Sequence, residues 1–101
     1  MALDFHRLDN NEYLFGIEGE HFTCFLPILE IFYQCTGLEI DQYKDMQLTK
    51  ENGQALLKII DNYILQTDLN RDKKCTSAIL EFKGLLKYFI SKDISFSLYG
   101  D

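Results

Sequence analysis

Few residues in this 101-residue chain have both the type and the spacing that chemistry requires. Asp68, Asn70 and Asp72 set oxygen ligands at alternate positions, the way a calcium loop opens. The pattern then fails. The sixth position, which needs glycine for a sharp turn, is Lys73, and the twelfth, which needs a bidentate Glu, is Ile79. Arg71, Lys73 and Lys74 add positive charge where a cation would sit, so the stretch reads better as an acid- and Asn-bearing connection between helices. His21 and Cys24 share a helix face at i, i+3, but a zinc site wants four ligands, or three and a water. Cys35, Cys75 and His6 complete one only if the fold gathers them. A cysteine nucleophile needs a base and an orienting group, and no local signature supplies them. Carboxylates are numerous, yet none lies in a recognisable apolar pocket that would raise its pKa for acid catalysis. Gly16, Gly19, Gly37, Gly53, Gly84 and Gly100 are too scattered to form a phosphate loop. The expectation is a protein that is not an enzyme, with no catalytic residue, no metal and no cofactor.

Charge is more informative. Residues 1–50 carry nine acids and three bases, and residues 51–101 carry seven of each, so the whole net charge of −6 lies in the first half. Such a field draws basic partners and repels nucleic acid. Arg71, Lys73, Lys74, Lys83, Lys87 and Lys92 follow a helical pattern, but they are interleaved with Asp72, Glu81 and Asp93. That arrangement reads as a solvated helix face, or as an internal complement to the acidic half.

At this length the prior is one globular domain over residues 1–101. The composition, 47% hydrophobic with eight Phe and six Tyr, is enough for a core. Cys24, Cys35 and Cys75 make an odd count, which reads as thiols in a reducing compartment, most simply filling the core. The opening residues, MALDFHRLDNNE, show no apolar stretch behind a basic one, and the longest apolar run is short of a membrane span. A soluble cytoplasmic protein is expected.

The elements that must position any site follow from periodicity. Residues 22–35 (FTCFLPILEIFYQC) are apolar around nearly the whole helix circumference, which predicts a central helix packed on more than one side. It should begin near Glu20, run through Pro27 and stop at Gly37 in a left-handed cap. Before it, residues 3–8 and 12–17 flank an Asx-rich turn and predict a hairpin. Residues 38–48 read as an ordered loop. Thr49 can cap a second helix, whose stripe is Ala55, Leu56, Ile59, Ile60, Tyr63 and Ile64. Thr76 or Ser77 should start a third, with Ile79, Phe82, Leu85, Leu86, Phe89 and Ile90 inward, and Asp93 should end it. Residues 94–99 alternate strictly, as a half-buried strand does, and must pair with the hairpin. The expected fold class is α+β: three helices packed with a small, mainly antiparallel sheet made of the N-terminal hairpin and the C-terminal strand.

The residues best suited to bind a partner are Glu12, Tyr13, Glu18, Glu20, Glu39, Asp41, Tyr43 and Asp45. They combine carboxylates, which steer and select, with Tyr rings, which anchor. The competing reading is a hairpin and a loop with ordinary solvated acids. The segments LDNNEYLFGIEGEHF, TGLEIDQYKDMQLT and ISFSLYGD make the chain, across its whole length, similar to the small acidic immunity proteins of bacterial polymorphic toxin and contact-dependent inhibition systems. The resemblance implies a stoichiometric function: binding a cognate toxin domain, a basic protein partner, through an acidic face. The acidic charge and the short apolar runs add the expectation of no nucleic acid or membrane partner, and a monomer or weak homodimer is expected. The resemblance transfers no binding residue. Two other classes compete. One is a regulatory or scaffolding module that self-associates by adding strand 94–98 to a neighbour's sheet. The other is a small-molecule binder with an apolar pocket around Phe22, Phe25, Tyr63 and Phe89.

Overall fold

The computed structural model describes residues 2–100. Strands β1 (Ala2–Arg7) and β2 (Tyr13–Glu18) form the expected hairpin, followed by α1 (Gly19–Thr36). Then come β3 (Met46–Leu48), α2 (Lys50–Gln66), α3 (Lys73–Ser91) and β4 (Phe96–Tyr99). The strands make one antiparallel sheet in the order β2-β1-β4-β3. The fold is α+β, with three helices and a four-stranded sheet.

Period-two alternation sorts the strands into faces. Leu3, Phe5, Phe15, Ile17, Leu48, Phe96 and Leu98 are buried on the inner face. Phe5 stacks on Phe15 at 4.6 Å between centroids, and Phe82 of α3 meets Phe5, Phe15 and Phe25 edge-on at 5.5, 5.8 and 5.2 Å. These offset and T-shaped geometries suit the aromatic quadrupole. Phe82 thereby ties the sheet, α1 and α3 into one core.

Local signals set the helix ends. Gly37 takes φ 75° and donates its N–H to the Tyr33 carbonyl, as the left-handed cap requires. The Thr49 side chain accepts from the Asn52 N–H at 3.2 Å. Asp93, just past α3, adopts φ 65°, a conformation that Asp tolerates better than most residues. Gly53 is buried where α2 crosses α3, and a Cβ there would come within 2.7 Å of Ile90 Cδ1. The helix-propensity cost of this glycine, about 1 kcal/mol, is the condition for that close approach.

Four expectations are corrected. The stretch 38–48 is not all loop, since Met46–Leu48 pairs with β4; three residues are too few to show alternation. Helix α3 starts three residues before Thr76, because the Asp72 carboxylate caps it by accepting from the Cys75 N–H at 3.1 Å. The Thr76 hydroxyl instead donates to the Leu69 carbonyl. Helix α1 does pack against α2, α3 and the hairpin strands, yet it also gives a face to water. Leu26 and Tyr33 are about half exposed, and Cys35 is exposed. A small two-layer domain has nothing left to cover that side. Finally, Cys24 and Cys75 are not thiols but a disulfide, with Cα atoms 5.2 Å apart, because α1 and α3 pack side by side. Cys35, the remaining cysteine, lies on the surface and not in the core.

Candidate functional site: the open face of the sheet

The outer face carries Asp4 and His6 on β1, Ser97 and Tyr99 on β4, Gln47 on β3, and Tyr13, Gly16 and Glu18 on β2; none of these is buried. A bulge at Leu14 lets Tyr13 pair with His6, so the Tyr13 ring joins this face. His6 lies between two tyrosines, edge-on to Tyr13 at 5.4 Å and to Tyr99 at 4.8 Å. The β1–β2 turn locks the group. Asn11, at φ 62°, offers its carbonyl to His6 Nδ1 at 2.9 Å, and its side-chain oxygen accepts from the Tyr99 hydroxyl at 2.6 Å. Gly16 leaves room for this cluster, since a Cβ there would meet Asp4 Oδ1 at 3.0 Å and the Tyr13 hydroxyl at 3.3 Å.

The eight residues chosen from the sequence separate into two sets. Glu12, Tyr13 and Glu18 belong to the hairpin, and Glu20 to the first turn of α1 that follows it. Glu39, Asp41, Tyr43 and Asp45 belong to the segment that enters β3. Strands β2 and β3 are opposite edges, three strand spacings apart, or roughly 14 Å. The structure does not make the two sets contiguous; the tyrosine–histidine cluster lies between their strands.

The two sets also differ in what their carboxylates do. On the β3 side all three have local work. Glu39 pairs with Lys44 at 3.0 Å, Asp41 accepts from the Tyr43 N–H at 2.8 Å, and Asp45 accepts from the Gly100 N–H at 3.0 Å. Donating a hydrogen bond to Glu39 holds the Lys44 ammonium above the ordinary lysine pKa. On the β2 side Glu12 and Glu18 make no ion pair with another described residue, and Glu20 meets only His21, at 3.7 Å. Arg7 pairs with Asp9 at the turn, and that hydrogen bond holds the Asp9 carboxyl below its usual range and the Arg7 guanidinium above.

Charges elsewhere are local too. Lys83 pairs with Asp61 across α2 and α3 at 2.6 Å, Lys50 pairs with Asp93, and Lys92 lies over the Tyr88 ring. Among the described ion pairs, none joins a base of α3 to an acid of the first half, so internal complementarity does not account for the acidic excess. The carboxylates of the 68–72 stretch close a turn through Asn70 and cap α3, which accounts for their spacing without a cation.

Two of the competing site readings lose their geometry. Strand β4 is flanked on both sides by β1 and β3, so strand 94–98 has no edge to add to a neighbour's sheet. Phe25 lines a groove beside β2 and Tyr63 a separate cleft, so among the described residues these two aromatics do not share a pocket. A cleft of about 410 Å³ does open beside the disulfide, lined by Tyr63, Ile64, Leu69, Arg71 and Leu80 among others. His6, Tyr99 and Asn11 are the site residues that sequence reasoning passed over. Their signal was the alternation of β1 and β4, which sends His6 and Tyr99 away from the buried Phe5 and Leu98. No protein-family model, curated protein or solved structure matches the chain.

Proposed function

We propose that this chain is a non-catalytic binding module for a basic protein, in keeping with its resemblance to toxin-neutralising immunity proteins. The observation that supports the reading most is the open sheet face. Partly exposed Tyr13, His6 and Tyr99 sit beside Glu12 and Glu18, whose carboxylates have no described ionic partner. The His6 and Tyr99 rings, each hydrogen-bonded to Asn11, supply anchors with less entropy to lose, and carboxylates without a described ionic partner speed the encounter with a positive surface. The likeness narrows the basic partner to a toxin domain, which would be blocked by stoichiometric binding.

The test is a titration with the basic product of the reading frame beside the gene. Light scattering should show a 1:1 complex. Its association rate should fall by about tenfold between low and physiological salt, as steered encounters do. Absence of a complex at micromolar concentration, or a rate indifferent to salt, rejects the proposal. A second reading, a small-molecule site, draws on the cleft beside the disulfide, whose volume falls in the range of ligand pockets. It predicts ligand-induced shifts confined to Tyr63, Leu69 and Leu80.

A further inference from the structure

Strand β2 is an edge, and its free side does not face open solvent. A groove of about 180 Å³ runs between it and helix α3, with α1 at its base. Phe25, Phe82 and Leu85 supply apolar lining, while Glu18, Glu81 and His21 supply the polar part; no Lys or Arg lines it. Phe15, Gly16, Ile17 and Glu18 all line the groove, so the edge of β2 forms one of its walls. The bulge at Leu14 leaves residues 15–18 as the regular part of this edge. Backbone groups on the free side of an edge strand are a template for another extended chain, and a neighbouring apolar groove takes the alternate side chains.

We propose that an extended, basic segment of the partner adds to the sheet along residues 15–18 of β2, in the groove against α3. The inference rests on the basic-partner reading above and says how that partner is held. The occupant follows from charge: two acids line the groove with no Lys or Arg, so an apolar side chain flanked by lysine or arginine fits it. A second copy of this chain does not, because pairing β2 with β2 would bring Glu12 and Glu18 of one copy toward those of the other.

The test uses a six-residue peptide of alternating Lys and Val, the same peptide with alternate backbone nitrogens methylated, and the isotope-labelled full chain. Methylation keeps the charge and removes the donors that strand addition needs. The unmodified peptide should shift the amides of residues 15–18 and of 78–85, and methylation should weaken binding by about tenfold or more. Glu81→Lys, an exposed change that leaves the core alone, should weaken the unmodified peptide similarly. If both peptides bind equally, with shifts on the Tyr13, His6 and Tyr99 face, strand addition is overturned and the basic-partner reading stands. If neither binds, both fall. Concentration-dependent dimerisation through residues 15–18 overturns the assignment of the occupant.

Discussion

The two edges of the sheet carry the same kinds of residue and use them in opposite ways. At the β3 edge, Glu39, Asp41 and Asp45 hold a lysine and two backbone N–H groups, and the chain at 42–44 packs so closely on Gly100 that a Cβ there would lie 2.5 Å from Lys44 N. At the β2 edge, the carboxylates of Glu12 and Glu18 make no described hydrogen bond or ion pair, and their neighbours are exposed rings and a groove. An acidic composition is therefore not in itself an acidic site. A carboxylate that terminates a strand or closes a turn already has its hydrogen bonds, whereas one without partners keeps its field available to another molecule.

The largest expected effect should leave this contrast untouched. Breaking the Cys24–Cys75 link by Cys75→Ser opens a loop of 51 residues, and chain entropy puts the loss of stability at about 4 kcal/mol. Chemical denaturation measures it. Association of a basic peptide, read where the variant is still folded, should change by less than about twofold, because Cys24 and Cys75 line the 410 Å³ cleft and not the groove beside β2. Next come changes at the β3 edge. Gly100→Ala drives a methyl into the backbone of residues 42–44 and should cost about 1–3 kcal/mol. Asp45→Ala removes one acceptor and should cost about 1 kcal/mol. A stability loss for both, with association of the peptide unchanged, upholds the contrast; unchanged stability breaks it.

The β2 edge should show the converse. Replacing Glu12, Glu18 and Glu20 together by Lys should cost no more than about 1 kcal/mol at each of Glu18 and Glu20, where the charge meets the positive end of α1, and less at Glu12. It should slow association with a basic probe by about tenfold at low salt, seen by stopped-flow fluorescence. An equal effect from reversing Glu39, Asp41 and Asp45 would show that the whole face acts as one field. The smallest effect is a pH signature. Asp9 has its pKa lowered by Arg7, so its contribution is present above the unfolded value and is lost as pH falls through the folded one. Lys44 has its pKa raised by Glu39, so its contribution is complete below the unfolded value and is lost as pH rises through the folded one. Amide exchange should therefore loosen first at the hairpin turn in acid and first at the 38–45 segment in alkali. Both groups are fully exposed, and solvent screening keeps the two effects small.

Much of the fold was legible residue by residue. The stripes of α2 and α3, the Thr49 and Gly37 caps, the Asx-rich turn and the alternation of 94–99 all involve partners a few positions apart. The long-helix reading through Pro27 held for the same reason, since Phe22, Phe25 and Leu29 already shared a face. The candidate site was half legible. Tyr13, Glu12 and Glu18 could be chosen from type and position, while Asp41 and Asp45 could not be told from them, because Asp41 is engaged only once residues 41–43 turn and Asp45 only once Gly100 arrives from the other end of the chain. His6 was visible only as a possible metal ligand, and its place between two tyrosines depends on a bulge and on a strand 90 residues away.

The sequence by itself determined the three helices, the Thr49 and Gly37 caps, the hairpin and the uneven charge, because each rests on contacts or sums that need no long-range partner. The tertiary structure alone decided that β1 and β4 take the middle of the sheet, that three residues after the loop become a fourth strand, that Cys24 meets Cys75, and which acids lie at which edge. Those outcomes depend on how distant segments share one buried face. Leu48, Phe96, Phe5 and Phe15, one from each strand, share that face and fill it, and every outward residue goes wherever that shared interior sends it.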